Sequence, residues 1–320
     1  MITVVGEALV DLVAVDDGRY VPHPGGSPAN VAVGLARLGI PVRMGARIAE
    51  DDFGALLRSH LEAQGVDCRS TIHALQPSSL AVVTKTSDGQ PSYDLRLEGT
   101  CDWQWKQTET IALHTPDMCA LHLGSLSAVL PPGADALRQL AETARTDATI
   151  SYDPNIRCSV MDSVPEARER VEALISIADI VKLSDADLAW LRPGTTPPGF
   201  VRERARAGAP LTVVTCGAGG AVGAAPQTGI LHSPAQRVTV ADTIGAGDSY
   251  LSALLFGLHR RKLLGAERRE ALSAMTTDEL FRLMEQAACA AALTCSTPGA
   301  NPPTLKELNR ALAARRCRTL

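Results

Sequence analysis

The chain has 320 residues, 45% of them hydrophobic and 21% charged, the balance of an ordinary soluble enzyme. That length suits one large α/β domain with an insertion, or two domains of unequal size. A formal net charge of −4 and an aromatic content of 3% argue against a polyanion-binding or base-stacking surface, so no nucleic acid partner is expected.

The first strand is expected over Ile2–Val5, and the start MITVVGEALVDLV carries Glu7 and Asp11 with no basic lead, unlike a signal peptide. No apolar run approaches the roughly 20 residues needed to cross a bilayer, so a cytoplasmic protein without membrane contact is expected. Residues 11–23 read as extended. Next, Gly25-Gly-Ser-Pro-Ala-Asn30 opens a helix over 27–38, with Ser27 as N-cap, Pro28 in the first turn and Gly39 past the end. Asn30, one turn inside, can offer a donor and an acceptor to a polyol, or simply face solvent. Residues 78–105 again read as extended, with alternation in Leu80–Thr86 and Ser92–Leu97. Together the two extended pieces suggest a small β-lid, discontinuous in sequence.

Further strands are expected at Cys119–Leu123, Thr149–Tyr152, Ile180–Lys182 and Leu211–Thr215. Helical patterns between them, including one near 165–178, point to βαβ units and a mostly parallel sheet. Asp153-Pro-Asn-Ile-Arg157 and Thr215-Cys-Gly-Ala-Gly-Gly220 follow two of these strands and read locally as turns. The eight cysteines (Cys68, Cys101, Cys119, Cys158, Cys216, Cys289, Cys295, Cys317) form no Cys-x-x-Cys pair and read as ordinary thiols.

Val240-Ala-Asp-Thr-Ile-Gly-Ala-Gly-Asp-Ser-Tyr250 is the most informative stretch. A glycine-flanked turn opens onto an apolar helix over 246–259, whose first N–H groups lack internal partners. Gly245 and Gly247 let an anion approach that positive end with no Cβ in the way, and Asp248 sits in the first turn beside it. By itself the loop also reads as a capped helix start with Asp248 favouring the dipole. No stretch satisfies G-x-G-x-x-G or G-x-x-x-x-G-K-[ST], which removes support for a dinucleotide site or a Walker-type ATPase.

The Gly-Gly-x-x-x-Asn stretch near the N-terminus and Asp-Thr-x-Gly-Ala-Gly-Asp near the C-terminus, in this order and separation, resemble the two signatures of the PfkB (ribokinase-like) carbohydrate kinases over nearly the whole chain. The resemblance implies an α/β fold, a ribokinase-like Rossmann-type three-layer sandwich with a small discontinuous β-lid from about 11–23 and 78–105. It implies transfer of the ATP γ-phosphate to a primary hydroxyl of a small sugar. Asp248 would be the base, with Gly245, Ala246 and Gly247 the anion hole. Asp11, Gly26 and Asn30 would hold the sugar, joined by Asn155 and Arg157 from a stretch like that of fructokinase-like members, and by Arg96 or Tyr93 from the lid. Lys182, Ser184, Thr215, Gly217 and Gly220 would line the nucleotide.

The family's Asn-x-x-Glu stretch, which orders magnesium through water, stands here as Ser184-Asp-Ala-Asp187, leaving Asp187 as the shorter carboxylate. Potassium, held in some members by similar segments, would lie near Asp242, Ile244, Thr294, Thr297 and Gly299. A homodimer through exposed lid edges is also expected. Fructose or a similar ketose is the leading substrate, with 2-keto-3-deoxygluconate, ribose and nucleosides as alternatives. The reading from a different class is a non-catalytic sugar-binding regulator.

Overall fold

The computed structural model describes residues 1–15, 18–85 and 91–316. Fourteen strands occur among the described residues, in chain order: β1 (Ile2–Val5), β2 (Leu9–Ala14), β3 (Tyr20–Gly25), β4 (Val42–Gly45), β5 (Arg47–Ala49), β6 (Ile72–Ala74), β7 (Leu80–Lys85), β8 (Pro91–Arg96), β9 (Ala120–Gly124), β10 (Thr149–Asp153), β11 (Ile180–Ser184), β12 (Leu211–Thr215), β13 (Ala221–Ala224) and β14 (Leu231–Ser233). Eight of them form one sheet in the order β14-β13-β12-β11-β10-β9-β1-β4. The six from β12 to β4 run parallel, and β13 and β14 turn back antiparallel at one edge.

Both faces of this sheet are covered, which is why its strands are near-continuous apolar runs. Ile2, Val4, Ala120, Ile180 and Val213 pack against the helices Ser27–Arg37, Ala246–Arg260 and Thr277–Cys295. Val5, Leu121, Leu123, Ile150, Val181, Leu183 and Val214 pack against Ala134–Ala144, Ala167–Ile177, Asp185–Leu191 and Pro197–Arg206. The result is a three-layer α/β sandwich. No helix of the described residues is long and apolar enough to cross a membrane.

A second sheet, in the order β3-β2-β7-β8, is built from the two stretches expected to be extended, with β2 and β3 spanning Leu9–Gly25 rather than 11–23. Beyond Arg96 the chain leaves this sheet for a short 3-10 turn at Cys101–Trp103. The edge strand β3 carries Pro22 and Pro24, which bring no N–H to a neighbouring strand. That edge is therefore a poor template for strand pairing with a second copy.

The expected helices occur at Ser27–Arg37, Ala167–Ile177 and Ala246–Arg260. One detail differs: Gly26, at φ 98°, is the N-cap of the first, and Ser27 is already helical. The Ser27 hydroxyl is used elsewhere, as described below. The seven cysteines among the described residues are free thiols, with Cys158 exposed; Cys317 lies outside the described residues.

Candidate active site

The parallel strands end together, and the residues that leave their C-terminal edge meet the start of the Ala246–Arg260 helix. Gly245, at φ 73°, is the N-cap of that helix. A Cβ there would fall 2.7 Å from the Ala300 Cβ, so both the left-handed backbone and the space demand glycine. Leu251, Leu254, Leu255 and Leu258 of the helix are fully buried, each worth about 1.5–3 kcal/mol. This anchorage fixes the first turn, where Asp248 is buried at 6% exposure.

Three donors converge on the Asp248 carboxylate. Ser27 Oγ donates to Oδ1 at 2.7 Å, Asn30 Nδ2 to Oδ2 at 2.9 Å, and Asn155 Nδ2 to Oδ1 at 3.4 Å. Ser27 and Asn30 lie three apart on one face of their helix, so a single face grips the acid. Asn155 sits in left-handed backbone, φ 41°, a conformation Asn tolerates better than most residues. Its loop is held by the Ile156 N–H, which donates to Asp187 Oδ1 at 2.7 Å.

Asp11 rises from β2 toward the same cleft. Burial pushes its carboxyl up to about 6; Arg157 pulls it down and Asp248 adds to the rise. The Gly25-Gly26 pair now has two separate reasons. A Cβ on Gly25 would fall 2.4 Å from Asp11 Oδ2, and one on Gly26 would fall 2.6 Å from the Glu7 carbonyl oxygen. Arg157 is exposed and donates to the Ile156 carbonyl at 3.2 Å.

Arg96 is not brought to this cleft within the chain. Strand register pairs Arg96 with Leu80, and Leu80 with Val10, so it stands on the sheet face opposite Asp11. There it forms an exposed ion pair with Asp94 at 2.5 Å. The Tyr93 side chain lies outside the described residues.

On the other side of Asp248, Lys182 is a lysine inside a parallel strand, 4% exposed. Its ammonium donates to Asp153 Oδ2 at 2.8 Å. A Cβ on Gly247 would lie 2.9 Å from Lys182 Nζ, so the bare glycine sets the ammonium against the helix start. Ser184 pairs in register with Thr215 at the ends of β11 and β12. Gly217 and Gly220, at φ 50° and 87°, form the tight turn into β13. A Cβ on Gly220 would fall 2.2 Å from the Ser233 carbonyl oxygen.

Asp187 is engaged by backbone on both carboxylate oxygens. Oδ2 accepts the Ser184 N–H at 2.8 Å and Oδ1 the Ile156 N–H, while Ser184 Oγ accepts the Asp187 N–H at 3.0 Å. This is a capping box, a signature the sequence Ser-x-x-Asp already carried. Among the described residues no group of three or more His, Cys, Asp or Glu is arranged to hold a metal.

Asp242 similarly ties two loops together, accepting the Ile244 N–H at 3.0 Å and the Gly299 N–H at 2.9 Å. The segments expected to face one another therefore do meet. The Thr294 hydroxyl, however, donates to the Ala290 carbonyl at 3.2 Å and the Thr297 hydroxyl to the Thr294 carbonyl at 3.1 Å.

Sequence reading missed two partners: Ser27 for Asp248 and Asp153 for Lys182. The second had a visible signal, a lysine flanked by Val181 and Leu183 in an apolar strand. Chemically, the site combines a carboxylate in hydrogen-bond reach of a cleft, a positive helix end flanked by Gly245 and Gly247, and an ammonium behind it. Such a set suits proton removal from a hydroxyl beside an anion.

Comparison with known proteins agrees. The model of the pfkB family of carbohydrate kinases matches residues 1–307. A fructokinase of Rhizobium leguminosarum bv. trifolii is 34% identical over 268 residues, 82% of this chain and 81% of the relative. Among solved structures, fructokinase with bound ATP from Xylella fastidiosa superposes with a TM-score of 0.89 at 25% identity, covering 98% of each chain. Fructokinase from Vibrio cholerae O395, with fructose, ADP and calcium ion bound, gives 0.80 at 25% identity, covering 98% of this chain and 97% of that one. A double mutant of the Vibrio enzyme holds fructose, ADP and potassium ion. The chain belongs to the pfkB family, with the ribokinase-like fold. It is an ATP-dependent sugar kinase, a phosphotransferase with an alcohol group as acceptor.

Proposed function

We propose that the sugar is fructose or a closely related ketose, phosphorylated on a primary hydroxyl with Asp248 as base. The observation carrying this reading is Asp248 itself, gripped by Ser27, Asn30 and Asn155 at the bare glycine end of its helix. Asp11 would accept sugar hydroxyls on one side, with Asn30 and Arg157 completing the pocket. As the hydroxyl oxygen bonds the γ-phosphorus, its proton passes to Asp248 and the bond from γ-phosphorus to the bridging oxygen of ATP breaks, releasing ADP. The N–H groups of residues 245–247 and the Lys182 ammonium would meet the charge on the transferring group. Magnesium would ride on the nucleotide, and potassium behind the loop at Asp242 would tune its shape. The closing lid would exclude water as a competing nucleophile. We place the enzyme in the cytoplasm.

The test is ADP release with magnesium and ATP across fructose, other ketoses, 2-keto-3-deoxy acids, pentoses and nucleosides. The highest kcat/KM is expected for fructose. Fast release with nucleosides and none with any hexose refutes the assignment.

A further inference from the structure

We propose that Asp153 is a positioning residue for phosphoryl transfer, its carboxylate fixing the Lys182 ammonium beneath the anion loop. The inference rests on the reading of Gly245–Gly247 and Lys182 as the phosphate site, and goes beyond it by giving the residue behind Lys182 a role in turnover.

Three observations carry it. First, register makes the pair: Ser151 faces Ile180 and Tyr152 faces Val181, so Asp153 at the end of β10 stands opposite Lys182. Their contact is 2.8 Å, with side chains 0% and 5% exposed. Second, the pair is nearly exclusive. Asp153 Oδ1 is buried with no hydrogen-bond partner, so Lys182 is the one side chain that donates to this carboxylate among the described residues. Third, the ammonium is placed, since it lies 2.9 Å from where a Gly247 Cβ would be.

Stability does not account for such a pair. Desolvating two ions costs several kcal/mol each, and hydrophobic replacements of equal volume are often neutral or stabilising. A lysine alone in this pocket would tend to discharge. The groups facing it decide otherwise. Burial, the largest influence, pushes the Lys182 ammonium toward its neutral form, but the net shift is upward: Asp153 from β10 raises it most, with Asp248 from the Ala246–Arg260 helix and Asp187 from the Asp185–Leu191 helix adding to the rise. His122 on β9 brings no charge, because burial drives its imidazole down to about 3. The Asp153 carboxyl is itself pushed up to about 6 by burial, against the pull of Lys182. The pair is therefore ionised at neutral pH and above, and loses its anion as the pH falls through about 6.

The test is a double-mutant cycle of Asp153→Asn and Lys182→Met, with turnover at saturating ATP and sugar followed from pH 6 to 9.5. Lys182→Met is expected to lose about 10²–10³-fold, as for removal of one transition-state donor. Asp153→Asn is expected to slow increasingly as the pH rises, because its lysine discharges within the assay range, a fall the wild type lacks. In the Lys182→Met background, Asp153→Asn should change nothing, and that uncharged double variant should melt no lower than wild type. It keeps the test valid should Asp153→Asn alone fail to fold. A further tenfold loss in that background, or an Asp153→Asn profile parallel to wild type, overturns the role of Asp153. Wild-type turnover in Lys182→Met overturns the phosphate-site reading instead.

Discussion

Replacing Asp248 by Asn separates a base from a structural carboxylate, and the structure allows both costs to be worked out. Asn keeps the shape and one acceptor oxygen, which can still receive the Ser27 hydroxyl at 2.7 Å and the weaker Asn155 contact at 3.4 Å. Its NH2 then faces the Asn30 NH2 at 2.9 Å, donor against donor. Rotating the Asn30 amide by half a turn turns its oxygen inward and restores the bond. What is lost is the charge assistance to these bonds, on the order of 1 kcal/mol. That corresponds to a melting shift of roughly 1–2 °C for a chain of 320 residues. The chemical loss is larger, since a neutral amide cannot take the hydroxyl proton, and a positioned base is typically worth about 10²–10⁴-fold. The barrier rises by roughly 3–5 kcal/mol. Sugar binding should barely change, because Asp11 and Arg157 are untouched and the Asn30 backbone stays in place. The assay is kcat by ADP release, with sugar affinity by calorimetry and melting by thermal scan. Retention of more than about a tenth of wild-type kcat, well inside that expected loss, would mean that Asp248 is not the base.

Gly247→Ala should fold normally yet raise the ATP KM and lower kcat by at least about tenfold, because its Cβ would lie 2.9 Å from Lys182 Nζ and push the ammonium out of place; wild-type kinetics would refute the cradle. Asp11 should make the sugar KM rise as the pH falls through about 6, where its carboxyl gains a proton. The same raised value costs stability: the contribution is intact below the unfolded value of 3.8 and lost as the pH climbs through about 6, so Asp11→Asn should melt higher than wild type at pH 7 but not at pH 3.5. Equal melting differences at both pH values would refute the burial of an ionised Asp11. Tyr250→Phe should be neutral or stabilising, since the Tyr250 hydroxyl is buried without a hydrogen-bond partner among the described residues; a destabilisation above about 1 kcal/mol, the size of an ordinary hydrogen bond, would reveal a bond the geometry lacks.

The sheet was legible because parallel strands buried on both faces are apolar runs, and Ile2–Val5 and Leu211–Thr215 occur where the pattern puts them. The glycine-entered helix was legible because its punctuation is local. Register was not. Alternation along Ser92–Leu97 reveals a strand but not which face meets the cleft, and pairing with β7 puts Arg96 on the face away from Asp11. Long-range partners were also hidden: Ser27 looked like an N-cap, and nothing nearby tells that its hydroxyl meets Asp248, 221 positions away. At Asp187 the hidden part was local. Ser184 and Asp187 fit a local capping box, and the family pattern drew attention to metal instead.

What the sheet gives up to host the site can be read from its own strands. His122, Ser151 and Lys182 occupy interior positions of β9, β10 and β11, and Asp153 ends β10, each no more than 4% exposed. A purely structural strand would place Val or Ile there. Satisfaction is partial: His122 Nδ1 meets the Ser151 carbonyl at 3.2 Å, but His122 Nε2 and Asp153 Oδ1 have no partner among the described residues. Each such atom costs about 1–3 kcal/mol. Polar groups are arranged here at the expense of stability, and Lys182 among them lies under the glycine-flanked start of the Ala246–Arg260 helix. A fold optimised for stability alone would have no reason to concentrate that cost beneath Gly247. A fold that must hold a positive charge still while a phosphoryl group passes overhead does, because a rigid, desolvated ammonium needs no reorganisation as transferring charge develops.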